Sequence, residues 1–181
     1  DIVHYEAVGT ISSSLSVHAE EIYNGLENEK QKNLCERLFK ALTEPGLDKR
    51  GTPRPTSVED LVKLTSSSEF ELFKIIEEFR APGRAFLTPS HHVALNLKTV
   101  IDISHESFMR VWKRLKDWVE EETKSAELYL RLSKSAELYQ QGKGSLWINP
   151  ELEIAVNWQK EYKPNRYWGE RYDLAFERAI E

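Results

Sequence analysis

The stretch VIDISHESFMRVWKRLKDWVEEE, residues 100 to 122, constrains what this chain can fold into more than any other. Its first residues alternate. Val100 and Asp102 fall on one side, Ile101 and Ile103 on the other, as in a half-buried strand. The period then changes. Phe108, Val111, Trp112, Leu115, Trp118 and Val119 recur at helical spacing and fill one sector about 120° wide. Arg110, Lys113, Arg114, Lys116 and Asp117 fall outside that sector and read as a solvated face. A strand running straight into so apolar a helix needs a substantial surface to pack against. Ser104 is the expected N-cap at the joint. His105 follows it, and Glu106 falls in the first turn, where the helix dipole favours an acid.

Upstream the pattern is helical. Val17, Ile22, Tyr23 and Leu26 share a side, and Leu34, Leu38 and Leu42 stand four apart, with Asn24-Gly25 or Asn28 dividing the two segments. EPGLDKRGTPRPT, residues 44 to 56, holds three prolines and two glycines and reads as a loop. Ser57 caps a short helix over 58 to 65, with Asp60 in the capping-box position. Ser68 caps the next, over 69 to 80, where Phe70, Phe73, Ile76 and Phe79 with Leu72 and Ile75 make a broad apolar face. Strands are expected over 84 to 88 and 99 to 104. Helices followed by a two-stranded hairpin give the order of a winged helix.

Downstream, Leu128, Leu132, Ala136 and Tyr139 form a stripe nearly opposite to that of Phe108. The helix therefore either bends near Glu122 and Thr123 or changes packing partner there. The fold class expected is mainly α with a small β-hairpin: a winged-helix domain over 1–122 with N-terminal helices, then a helical extension over 123–181. KSAELY occurs at 124 to 129 and again at 134 to 139. Ten residues rotate a helix by about 1000°, so the copies sit about 80° apart and share no stripe. QGKGS stops this helix, Pro150 opens another from Glu151 to about Glu161, Pro164 ends it, and a last helix begins near Tyr167 or Gly169.

Composition narrows the function. One cysteine, Cys35, permits no internal disulfide and suits a reducing compartment. No apolar run reaches the length of a membrane span. The chain starts without methionine and stops in a helical pattern, so it reads as a piece of a larger cytoplasmic protein. Its net charge of −5 argues against a nucleic-acid partner. The helix over 69 to 80 argues further, with Glu69, Glu71, Glu77 and Glu78 against Lys74 and Arg80, few donors for guanine and strong repulsion from phosphate.

The sites are sparse. QGKGS lacks the glycine spacing of a phosphate loop and follows a helix, so no motif for nucleotide hydrolysis is present, and no catalytic residue is expected. His91 and His92 are adjacent and point apart in a strand, and His4 and His18 are isolated, so no metal ligands are expected. Arg166, Tyr167, Trp168 and Arg171, in KPNRYWGERY, read as aromatics packed inward with arginines over them. The other reading is a contact surface for a neighbouring domain. His105 reads either as structural or as a donor to an anion.

VIDISHESFMRVWKRLKDWVEEE closely resembles the strand-to-helix signature of the STAND class of P-loop NTPases, specifically the bacterial novel STAND branch. YEAVGTISSSLSVHAEEIYNGL (5 to 26), LFKALTEPG (38 to 46) and LYQQGKGSLWINPELEIAVNW (138 to 158) agree with it. The resemblance implies a large signalling ATPase with an NTPase core upstream, a winged-helix arm, and then sensor repeats. This chain would be the arm and the helical stretch after it. The chain itself would be non-catalytic and hold no cofactor, with ADP or ATP and magnesium bound by the parent protein. In related immune and apoptotic ATPases a histidine at the joint between wing and helix contacts the β-phosphate of ADP. His105 matches that position, and Glu106 stands where the plant proteins have aspartate. Partners implied are the upstream core, the downstream repeats and other proteins. The competing readings are a winged-helix transcriptional module that binds DNA and a plain protein-interaction scaffold.

Overall fold

The computed structural model describes residues 2–44 and 51–180, with side chains of the first helix described from residue 13 onward. The expected loop over 44 to 56 therefore lies partly outside the described residues. The chain forms two compact units, 1–120 and 121–181. It is mainly helical, with two small antiparallel sheets.

In the first unit, α1 (Ile2–Asn24) and α2 (Glu29–Ala41) are separated by a turn that Asn28 closes. Its side chain accepts the Gln31 N–H at 3.0 Å. Ala19, Ile22 and Leu26 are buried, whereas Val17 is exposed. Val17 was expected beside Ile22, but five residues place it about 140° around the helix. On α2, Leu34, Cys35, Leu38 and Phe39 face inward, and burial pushes the Cys35 thiol well above its ordinary pKa.

Two further helices follow, α3 (Val58–Thr65) and α4 (Glu69–Arg80). Ser57 caps the first by accepting the Asp60 N–H. Ser68 and Glu71 form a full capping box on the second. Leu72, Ile75, Ile76 and Phe79 are buried, but Phe70 is 69% exposed. The apolar face of α4 is thus narrower than its composition suggests, because Phe70 lies about 160° from Leu72.

β1 (Thr43–Glu44) pairs with β2 (Thr52–Pro53), and β3 (Thr56–Ser57), β4 (Leu87–Thr88) and β5 (Val100–Ile103) form a sheet in the order β3-β5-β4. The hairpin β4-β5 was expected. The strands within the proline-rich stretch were not. Proline is tolerated at an edge, where no ladder N–H is needed. Ile101 and Ile103 are buried while Val100 is exposed, as the alternation requires. Gly51 holds the close approach behind β2. Its φ is +69°, and a Cβ there would lie 2.7 Å from a Val119 methyl carbon.

Two corrections concern the strand-to-helix run. His105, not Ser104, is the N-cap of α5 (Glu106–Val111). Ser104 is still tied to the strand, its N–H donating to the Phe86 carbonyl at 3.0 Å. The helix is also not continuous: Trp112 has φ −81° and ψ 103°, which divides α5 from α6 (Lys113–Gln140).

Arg80 is a second surprise. It was counted among the exposed bases of its helix, yet its side chain is 1% exposed. The guanidinium donates to the carbonyls of Pro89 (3.2 Å), Ser90 (3.1 Å) and Val93 (2.6 Å), and to both carboxylate oxygens of Glu77. A buried charge is tolerable only with such full pairing. The clamp fixes the hairpin connection to α4.

The second unit takes in most of α6, then α7 (Glu151–Tyr162), α8 (Arg166–Gly169) and α9 (Phe176–Ile180). Glu122 and Thr123 lie within α6, which continues through them. The buried stripe is Glu122, Ala126, Tyr129 and Ser133, not the expected one: Leu128 and Leu132 are half-buried and Tyr139 is exposed. Tyr129 and Tyr139, the equivalent residues of the two KSAELY copies, thus have opposite environments.

Arg80→Ala should lower the stability of the first unit by about 3 kcal/mol, since three carbonyls and Glu77 lose a charged donor. Urea unfolding measures this, and amide exchange should rise at Ser90 to Val93. A variant as stable as the parent would mean that the clamp contributes nothing.

Candidate functional site

The His105 joint is built on an aromatic floor. Phe108 packs on Phe86, with ring centroids 4.6 Å apart, and Trp112 meets Phe39 edge-on at 5.3 Å. Phe39 in turn meets Phe79 at 4.9 Å. These rings come from α2, α4, α5 and the segments flanking them, so the chain at residue 105 is held from several directions.

Above this floor His105 is exposed, and its side chain makes no capping hydrogen bond. Among the described residues no partner occupies the ring. Glu106 is also exposed, but its carboxylate pairs with Arg110 one turn on, rather than with His105. Arg110 lies on the solvated face, as expected, and there pairs with the charge of Glu106. No three His, Cys, Asp or Glu side chains are grouped to hold a metal ion among the described residues.

Behind the joint, Glu20 on α1 accepts the Trp112 indole N–H at 3.0 Å and both Nε and Nη2 of Arg114. The Arg114 guanidinium also lies 4.0 Å over the Tyr23 ring. Hydrogen bonding to Arg114, more than any other cause, holds the Glu20 carboxyl below its ordinary pKa, and the same bond raises that of Arg114. Spacing alone gave no sign of Glu20, since its partners are over 90 residues away.

The second unit has a different centre. Glu122 is 1% exposed and accepts the Trp168 indole N–H at 2.7 Å, the Tyr172 hydroxyl at 2.7 Å and the Tyr162 hydroxyl. Burial, and then the charge of Glu122, raises the pKa of Tyr162. Burial likewise pushes Tyr129 up to about 12; its hydroxyl donates to the Asp173 carbonyl at 2.9 Å. Trp168 is thus an interior residue, 6% exposed. Tyr167 and Arg166 are exposed, with Arg166 paired to Glu170 at 2.6 Å, and Arg171 is half-buried. The segment thus turns its tryptophan inward and Arg166 and Tyr167 outward.

A family model described as novel STAND NTPase 1 matches residues 1–145. The chain belongs to this family. No curated protein and no solved structure matches it. The novel STAND NTPase 1 match takes in His105, Glu106, the Glu20–Arg114 latch and Glu122, and ends in the turn after α6, short of Arg166 to Arg171. No described helix of this family member is long and apolar enough to cross a membrane.

Two outcomes are expected. Unfolded Glu20 takes up its proton near the ordinary carboxylate pKa, while the folded chain holds that pKa lower. Stability from this group is therefore present above the unfolded value and is lost as pH falls through the folded one. Glu20→Gln should flatten that part of the acid unfolding curve, and an unaltered curve would dismiss the latch. Glu122→Ala should cost the second unit about 3 kcal/mol by removing the acceptor that Trp168, Tyr172 and Tyr162 share. Near-ultraviolet circular dichroism during thermal unfolding would report the loss, and unaltered aromatic signals and melting would refute it.

Proposed function

We propose that this chain is the non-catalytic regulatory arm of a signalling STAND ATPase. In this reading α2, α3, α4 and the β4-β5 hairpin make up a winged helix that closes on an upstream ADP-bound core. The helices after residue 120 relay the nucleotide state to downstream sensor or effector domains. The observation that carries it is His105. In a chain of this family, an exposed imidazole with no described partner stands on a fixed aromatic floor at the junction of β5 and α5.

The role assigned to His105 is to donate a hydrogen bond to the nucleotide's β-phosphate in the closed state. Glu106 takes a supporting part: paired with Arg110, it steadies the first turn of α5 beside the contact. Regulation requires that this contact exist in one state and not in the other. ADP or ATP and magnesium would be bound by the core. Exposed Tyr167 and Arg166 are assigned to contacts with other domains or proteins.

The rival reading of α4 as a DNA-recognition helix is weakened further by Arg80. With its guanidinium buried in the clamp, Lys74 is the base that α4 has left to offer, against four carboxylates.

The test uses the full-length protein. His105→Ala should speed ADP release about tenfold, the equivalent of one charge-assisted hydrogen bond, and raise basal signalling. Unchanged ADP retention together with unchanged output would remove the nucleotide role from His105.

A further inference from the structure

A trough of about 740 Å³ runs between the end of α1 and the exposed side of α4. Each wall is a single helical stripe. His18, Glu21 and Ile22 on α1, with Gly25 just past its end, recur at i, i+3, i+4 and i+7. Phe70, Phe73, Lys74 and Glu77 do the same on α4. Ile22, Leu26 and Ile75 form an apolar floor. Gly25 carries no side chain to close the α1 end. Phe70 stands 69% exposed on the rim, with the Lys74 ammonium 4.8 Å from its ring centroid. An exposed aromatic on the rim of a trough with an apolar floor is the kind of anchor that a docked helix would cover.

Charge selects the partner. The lining contains the carboxylates of Glu21, Glu27, Glu77 and Glu78 against the cations Lys74 and Arg84. Glu77 and Glu78 are occupied by Arg80 and Arg84. Glu21 and Glu27, both exposed, have no Lys or Arg in bonding range among the described residues. Glu21 belongs to α1 and Glu27 to the turn after it, whereas the phenylalanines belong to α4. An occupant that matches both would place an apolar edge against Phe70 and Phe73 and basic side chains against Glu21 and Glu27.

We propose that this trough docks a basic amphipathic helix of a protein partner, apolar face down, in the helix-in-groove mode. The surface makes no use of His105, so the proposal stands apart from the nucleotide reading. DNA is excluded from the same place by the carboxylates that attract lysine and arginine.

The test uses the intact chain and three labelled probes: a synthetic helical peptide with leucines on one face and lysines flanking them, the same peptide with glutamate for lysine, and a duplex oligonucleotide. Fluorescence anisotropy should show binding of the lysine peptide alone. Amide NMR shifts should fall on residues 18 to 27 and 70 to 78. Phe70→Ala should weaken binding about tenfold, a loss typical of a central aromatic anchor. Because that side chain is exposed, the variant should fold. Glu21→Lys combined with Glu27→Lys should weaken binding at least as much. The proposal falls if the lysine peptide does not bind, if the glutamate peptide binds equally well, or if the shifts map elsewhere. It falls also if the oligonucleotide binds α4, or if sedimentation finds a dimer that Phe70→Ala dissociates, since a second copy would then be the occupant.

Discussion

Trp112 is the side chain on which the first unit depends. Its ring fills the space between Phe39, Phe79, Phe108 and Trp118, and is 1% exposed. A tryptophan buried so deeply needs an acceptor for its indole N–H, and Glu20 supplies one. A carboxylate placed there needs a cation, and Arg114 supplies that. One large apolar side chain therefore dictates a chain of polar partners that joins α1 to α6. The backbone yields at the same residue: α5 ends and α6 begins where Trp112 adopts an extended conformation.

The second unit solves the converse problem. Its interior is centred on a carboxylate instead of a hydrocarbon, and Glu122 gathers Tyr162, Trp168 and Tyr172 from α7, α8 and the turn after it. Each donor brings a large ring, so satisfying the acid also supplies the packing. Burying an acid in this way is tolerable because its oxygens are met by several donors at once. The same logic governs Arg80, whose guanidinium is met by three carbonyls and a carboxylate. In both units a buried charge fixes a segment that has little regular structure of its own.

Most of the helices could be placed from spacing and caps. Ser57, Ser68 and Asn28 each stand where a helix begins, because an N-cap is a local transaction between one side chain and an N–H two or three residues on. The alternation of Ile101 and Ile103 gave β5 for the same reason. What failed was breadth: Val17 and Phe70 are apolar and helical yet exposed, since rotation around the axis, not composition, decides which face is covered. Two-residue strands among the prolines left no periodic signal. The His105 joint was legible as a strand meeting a helix, but the choice of N-cap was not, because the sheet keeps Ser104 extended through its bond to Phe86.

The sequence by itself determined the helical order, the position of the hairpin, and the family to which the chain belongs, all of which are written in short-range patterns of residue type. Tertiary structure alone decided the fate of the charges. Glu20, Arg80, Arg114 and Glu122 each looked like one more polar residue on a helix, and each is engaged with groups brought from elsewhere in the chain. A charge has no period and its partners no fixed spacing, so its role emerges only when folding removes water and leaves specific donors and acceptors around it.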